Sequence, residues 1–225
     1  MTSLRGKSSR ERRSAPPAGQ KPPKDVRIAA LRRFAISITV LNIIGYLWLG
    51  FEQPWLWPVM AVGTAYATEF LVESVTAWAD RRPPGYRGHG LKGLADYLLP
   101  AHITGLAVNM LLYANEKAWL VVFAVVVAVG QKAILRAPIN GKPRHFMNPS
   151  NFGIATALLL FPWISIAPPY EFTENVGTVL SWIIPALILV SGTLLNAQLT
   201  RKMPLIGGLV LAFAAQALFR AAVFG

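Results

Sequence analysis

Two carboxylates inside an otherwise apolar run are the side chains of this sequence with the clearest chemical potential. Glu69 and Glu73, in TAYATEFLVESVTAWAD, are four residues apart and therefore share one face of a helix. In a segment that crosses a bilayer, such residues mark a proton or ion pathway, a ligand site or an ion pair between helices. We predict that both carboxylates are proton- or ion-coupling groups together with Lys132, or that they neutralise Lys132 or Arg136 and lock helices together.

A second polar set precedes another apolar run, in RHFMNPSNFGI at residues 144–154. A residue before proline avoids the helical region and proline suits the first helical position, so we predict a helix that begins at Pro149 with Asn148 as its N-cap. Asn151 is placed to reach back as in a capping box, and Gly153 would let a helix or a flat ligand approach the backbone. The free N–H groups of this helix start suit an anion such as a phosphate or a reduced flavin, although capping alone also explains the residues.

Further polar side chains are expected at the same depth as the carboxylates. Lys142 and Arg144 stand just upstream of the helix start and would attract the same anion. His102 lies near the start of the third apolar run, where a hydrogen bond between helices is its simpler role. A pocket follows if the helices that carry these residues are neighbours.

The composition indicates an integral membrane protein, because 54% of the 225 residues are hydrophobic and only 14% are charged. The absence of cysteine excludes disulfides, thiolate metal sites and a cysteine nucleophile, and we expect no metal site. About ten of the 22 basic residues fall in the first 33 positions among Pro, Ser and Gly, which is typical of a disordered tail. The tail has no aromatic residue for stacking on bases, so we expect no nucleic-acid partner.

The apolar runs predict an all-α protein, a polytopic transmembrane helix bundle of about seven spans over residues 34–225 that follows the tail at 1–33. The predicted spans are 34–51, 55–78, 97–114, 118–135, 149–167, 177–197 and 204–224. Lys and Arg concentrate in the connections after the second, fourth and sixth spans, which places the N-terminus in the cytoplasm and the C-terminus outside a bacterial cytoplasmic membrane. Gly63 and Ala67 are predicted to form a face for close helix packing.

Three stretches of the chain resemble a known family: LLPAHITGLAVNMLLYANEKAW, AVGQKAILRAPINGKPRHFMNPSNFGIATALLLFPW and IAPPYEFTENVG. They look like the integral membrane protein of enediyne-biosynthesis gene clusters, which is distantly similar to the flavin-carrying membrane subunits of the Rnf complex and the sodium-translocating NADH:quinone reductase. The resemblance covers most of residues 30–225. It implies a membrane subunit that holds a flavin and passes electrons from a cytoplasmic donor to a membrane or biosynthetic acceptor. The residues that match the family's motifs are Asn148, Pro149, Asn151 and Gly153 at the helix start and Thr104 and Gly105 in HITGL.

The sequence departs from those complexes where they attach flavin covalently. Attachment there uses a threonine in an Asp-Gly-x-Ser/Thr or Ser-Gly-Ala-Thr context, whereas the nearest match here, SGT at 191–193, lacks the alanine and lies in an apolar run. The cofactor that the resemblance implies is therefore a noncovalent FMN or riboflavin.

Two other functions fit the same residues. A transporter or channel for a small or hydrophobic product would use Glu69, Glu73 and His102 as proton-coupling groups. An assembly subunit would use its basic tail to dock a partner or anionic lipid. The expected partners are membrane lipids and other redox or biosynthetic subunits. No Walker, Rossmann or HExxH motif is present, so no catalytic residue is assigned.

Overall fold

The computed structural model describes residues 26–88, 90–139, 142–195 and 203–224, and most of them are helical. The prediction of an all-α fold is confirmed at this level. The α-helices of the described ranges are α1 (Val26–Ile44), α2 (Trp57–Ala79), α3 (Gly90–Leu111), α4 (Ala118–Ile134), α5 (Pro149–Leu160), α6 (Thr178–Leu195) and α7 (Met203–Phe224).

Short non-helical elements join these helices. A π-helical turn, Gly45–Leu49, continues α1, and a 3-10 turn, Pro169–Phe172, precedes α6. Strand β1 (Leu112–Tyr113) pairs antiparallel with β4 (Ser165–Ile166). Strands β2 (Arg136–Ile139) and β3 (Lys142–His145) form an antiparallel hairpin in which Arg136 lies opposite His145. The strands were not predicted, and the second pair shapes the candidate site.

Three helix boundaries differ from the prediction by seven or eight residues. Helix α1 begins at Val26, so residues 26–33 are helical instead of belonging to the tail, while residues 1–25 lie outside the described ranges. Helix α3 begins at Gly90, seven residues before the predicted span. Helix α5 ends at Leu160 instead of residue 167, because the next residue precedes Pro162 and the residue before proline disfavours the helical conformation.

Length and composition mark one helix of the described ranges, Arg27–Leu49, as able to cross a membrane. Four other apolar stretches are shorter, at 10–17 residues: Ala118–Ile134, Pro149–Leu160, Thr178–Val190 and Val210–Val223. The sevenfold crossing therefore stays a prediction.

Helix α4 lies at the centre of the core and packs against α2, α3 and α5. Its fully buried side chains are Leu120, Val121, Ala124, Val125, Ala128 and Val129. Small residues allow close contact with the neighbouring helices, since a Cβ on Gly153 of α5 would lie 2.3 Å from the Ala124 carbonyl oxygen. The predicted packing face of α2 was wrong. A Cβ added to Gly63 would meet no atom within 4 Å, whereas Ala61, on another face, contacts Gly105 of α3.

Candidate functional site

A polar cavity of about 670 Å³ opens where α1, α2, α4 and the β2–β3 hairpin meet. Its charged and titratable lining residues are Arg27, Glu69, Glu73, Lys132, Arg136 and His145. Their elements position them in simple ways. Glu69 and Glu73 lie one turn apart on α2, and Lys132 lies in the last turn of α4. The hairpin register then sets Arg136 and His145 side by side.

Both carboxylates of the cavity are engaged by cations. The Lys132 ammonium donates a hydrogen bond of 2.5 Å to Glu69, and the two side chains are only 13% and 19% exposed. The Arg82 guanidinium donates two hydrogen bonds to the carboxylate of Glu73, at 2.6 and 3.2 Å, and the Gly85 N–H donates a third at 2.6 Å. Glu69 therefore has the helix-locking partner that the ion-pair hypothesis predicts, whereas the partner of Glu73 is Arg82 instead of Lys132 or Arg136.

The cavity carries an excess of positive charge. Three of its lining residues are cationic and two are carboxylates, and Glu73 is already neutralised by Arg82, which lies outside the lining. The Arg136 Nε donates to the Lys132 carbonyl oxygen at 2.8 Å, which holds that guanidinium beside the cavity. Burial and the neighbouring cations, Lys132 first among them, lower the pKa of His145. This electrostatic environment suits an anionic ligand.

The start of α5 lies apart from this cavity. The helix begins at Pro149 as predicted, and Asn148 caps it by accepting hydrogen bonds from the Asn151 N–H at 3.3 Å and the Ser150 hydroxyl at 2.9 Å. Asn148 is exposed and does not line the cavity, although His145, three residues earlier, does. Capping therefore accounts for Asn148 and Ser150. The predicted capping box was wrong, because the Asn151 side chain has no hydrogen bond back to Asn148 in the described part of the chain.

Close helix packing accounts for Gly105 and Gly153, the two glycines of the family motifs. The Cβ of an alanine at Gly153 would lie 2.3 Å from the Ala124 carbonyl oxygen of α4, and one at Gly105 would lie 2.8 Å from the Ala61 carbonyl oxygen of α2. The Thr104 hydroxyl donates to the main chain of its own helix at 2.7 Å. The two glycines allow close contact between helices, and none of these three residues lines the polar cavity.

His102 lines a different cavity, between α1, α2 and α3. Its ring contacts the hydroxyl of Tyr66, which precedes Glu69 by three residues, or about one turn of α2. The structure therefore brings together Glu69, Glu73 and Lys132, and it places His102 and Asn148 elsewhere.

Sequence reasoning did not foresee that the hairpin would contribute Arg136 and His145 to the cavity. The sequence does contain an indication of the hairpin, because Asn-Gly at 140–141, between the stretches 136–139 and 142–145, is a strong hairpin pattern. Lys142 and Arg144, which were predicted to attract the anion, lie in β3, and their side chains fall outside what the structure describes.

A separate buried carboxyl lies toward the other end of α1. Glu171, in the 3-10 turn, is 1% exposed, and one of its oxygens has no hydrogen-bond partner. Burial, reinforced by the negative charges of Glu52 and Glu174, raises the pKa of Glu171 to about 7. This carboxyl therefore exchanges its proton near neutral pH.

Comparison with known proteins does not assign the chain to a family. No family model, curated protein or solved structure matches the chain.

Proposed function

We propose that this chain is an integral membrane protein whose polar cavity holds an FMN noncovalently, as one subunit of an electron-transfer system. The observation that carries the proposal is the cavity itself, which combines a volume of about 670 Å³ with excess positive charge beside the Glu69–Lys132 pair. Cofactor pockets typically enclose about 300–1,000 Å³, so the space suits a flavin. The sequence resemblance to proteins of enediyne clusters suggests natural-product biosynthesis as the pathway served.

The exterior of the bundle supports a membrane location. Large apolar side chains project outward from several helices, including Leu47, Trp78 and Leu159, each more than 80% exposed. A contiguous apolar exterior is unfavourable in water and favourable in lipid. The basic connections after α2 and α4 lie at the same end as the polar cavity, so the positive-inside rule would put the cavity on the cytoplasmic side.

FMN fits the charges better than a neutral flavin does. A phosphate can accept two parallel hydrogen bonds from the guanidinium of Arg136, and Lys132 can stabilise the negative charge of a reduced ring. The ring system would then lie against α2 beside the paired carboxylates. A flavin held in this way would exchange electrons with a soluble donor without covalent attachment.

The transport hypothesis receives less support from the same contacts. Proton coupling requires a carboxyl that gains and loses its proton, yet Glu69 and Glu73 each have a cationic partner within 2.6 Å. Ion pairing is sufficient to explain why these two carboxylates are present. The assembly hypothesis depends on the basic tail, most of which lies outside the described ranges.

Flavin titration tests the proposal. The detergent-purified protein is titrated with FMN and with riboflavin, which lacks the phosphate, while flavin fluorescence is followed. We expect FMN to bind at least about tenfold more tightly, because a hydrogen bond to a charged group contributes about 1.5–3 kcal/mol. The Arg136→Gln variant should lose that preference, and Arg87→Gln, which changes a basic residue outside the lining, should keep it. Failure of FMN to bind, or equal binding to wild type and Arg136→Gln, would refute the proposal.

A further inference from the structure

A second cavity, of about 610 Å³, lies between α1, α2 and α3 and does not share a residue with the polar cavity. Its walls are mainly leucine, isoleucine, valine and alanine side chains. The polar residues of its lining are Arg32, Thr39, Tyr66 and His102. Arg32 lies seven residues, or about 10 Å, from Thr39 along α1 and pairs there with Asp96 through two hydrogen bonds of 2.6 Å. The other three residues form a separate polar cluster.

The hydrogen bonds of this cluster fix the proton positions on His102. The Thr39 hydroxyl donates its one hydrogen to the Ala35 carbonyl oxygen at 2.7 Å, so it can only accept at its 2.8 Å contact with His102 Nε2. Nε2 therefore carries a proton. In a neutral ring Nδ1 is then an acceptor, and the Tyr66 hydroxyl donates to it at 2.9 Å.

The surroundings keep the His102 ring neutral. No carboxylate is among the described residues that line this cavity, and the one charged residue of that lining, the cation Arg32, is already paired with Asp96. A charge on the half-buried ring would therefore have no anionic partner. The ring also stacks on that of Tyr66, with an angle of 29° between the ring planes.

The cluster can therefore accept a hydrogen bond from a ligand but cannot donate one. The hydrogens of Thr39, Tyr66 and His102 Nε2 are all engaged, and the remaining capacity consists of lone pairs on the two hydroxyl oxygens. A molecule with only acceptor groups, such as a ketone or an ether, gains nothing from this cluster. A molecule with a hydroxyl gains a hydrogen bond to Tyr66.

We propose that this cavity is a binding site for a hydrophobic alcohol or phenol, whose apolar body lies between α1 and α3 and whose hydroxyl donates to the oxygen of Tyr66. Its volume is within the range of pockets for small organic ligands. Selection comes from the fixed direction of the hydrogen bonds, because the apolar walls accept any molecule of suitable size.

Paired ligands test the direction of the hydrogen bond. Saturable binding of radiolabelled 4-octylphenol and 4-octylanisole is measured on the protein in nanodiscs, with empty nanodiscs as the partition control. The two probes differ by methylation of the hydroxyl. We expect the phenol to bind about fivefold or more tightly than the anisole, which is the gain from one net hydrogen bond.

Two variants and a control identify the residues responsible. The double variant Tyr66→Phe/His102→Leu should abolish the preference for the phenol, because Tyr66→Phe alone would free His102 Nδ1 to accept the same hydroxyl. Tyr86→Phe, which removes a hydroxyl that contacts Ser74 elsewhere, should preserve the preference. Thr39→Val should improve anisole binding, because it leaves the Nε2–H of His102 without its acceptor and therefore free to donate to the ether oxygen. If the ring changes tautomer instead, Nδ1–H donates to Tyr66 and the Tyr66 hydroxyl becomes the free donor.

Three outcomes would overturn the proposal. One is equal saturable binding of both probes to the wild type, which would mean that the cavity takes any apolar chain, a lipid tail included. The others are no saturable binding at all, and a phenol preference that survives Tyr66→Phe/His102→Leu in a variant whose melting temperature shows that it is folded.

Discussion

Replacing Gly153 by alanine should weaken the contact between α4 and α5. The new Cβ would lie 2.3 Å from the carbonyl oxygen of Ala124, whereas real Cβ contacts stay above 3.0 Å, so the two backbones must separate by about 0.7 Å. Overpacking of this kind costs about 1–3 kcal/mol or more. For a protein of this size, each kcal/mol lowers the melting temperature by about 2–4 °C. We therefore expect Gly153→Ala to melt at least about 2 °C below the wild type.

Gly130→Ala is the matched control, because it makes the same chemical change in α4 at a position with nothing within 4 Å of the added Cβ. Alanine is favoured over glycine in a helix by about 0.5–1 kcal/mol, so this variant should melt at or above the wild-type temperature. Melting is followed in detergent by circular dichroism at 222 nm. If Gly153→Ala melts no lower than Gly130→Ala, the packing role is refuted. An unchanged melting temperature with weaker FMN binding would instead mean that Gly153 faces the ligand.

Two further predictions concern charged groups. Because the pKa of Glu171 is raised to about 7 in the folded protein, its contribution to stability is complete below pH 4.5 and is lost as the pH rises through 7, by up to about 3 kcal/mol. Glu171→Gln should flatten the fall in melting temperature between pH 5 and pH 8, and a slope equal to that of the wild type would contradict this. Lys132→Met should destabilise the protein by more than the double variant Lys132→Met/Glu69→Gln does, because the single change leaves a carboxylate unpaired. Additive effects on melting temperature in that cycle would show that the pair does not couple α2 to α4.

Apolar runs and proline positions predicted much of the fold. The bounds of α2 and α4 lie within two residues of the predicted spans, and the start of α5 follows from the Asn148-Pro149 pair. The early start of α1 was missed because its arginines are typical of a tail. Arg32 pairs with Asp96 of α3, and Arg27 lines the polar cavity.

Only part of the candidate site could be predicted. The sequence gives the approximate depth of a residue in a helix bundle, but it does not give the neighbour that the residue faces. Glu69 and Lys132 were expected at one level, and the structure joins them across two helices. His102 was placed at that level too, yet it meets Tyr66, one turn before Glu69 on α2. Such pairings depend on how each helix is rotated about its axis, which a single sequence does not specify.

The most direct test of the proposed function is a cryo-electron microscopy map of the protein saturated with FMN. The proposal predicts density for the flavin ring and its phosphate between α2, α4 and the β2–β3 hairpin, with the phosphate within hydrogen-bond distance of Arg136. An empty polar cavity at saturating FMN, or flavin density at the exposed start of α5 beside Pro149, would contradict it.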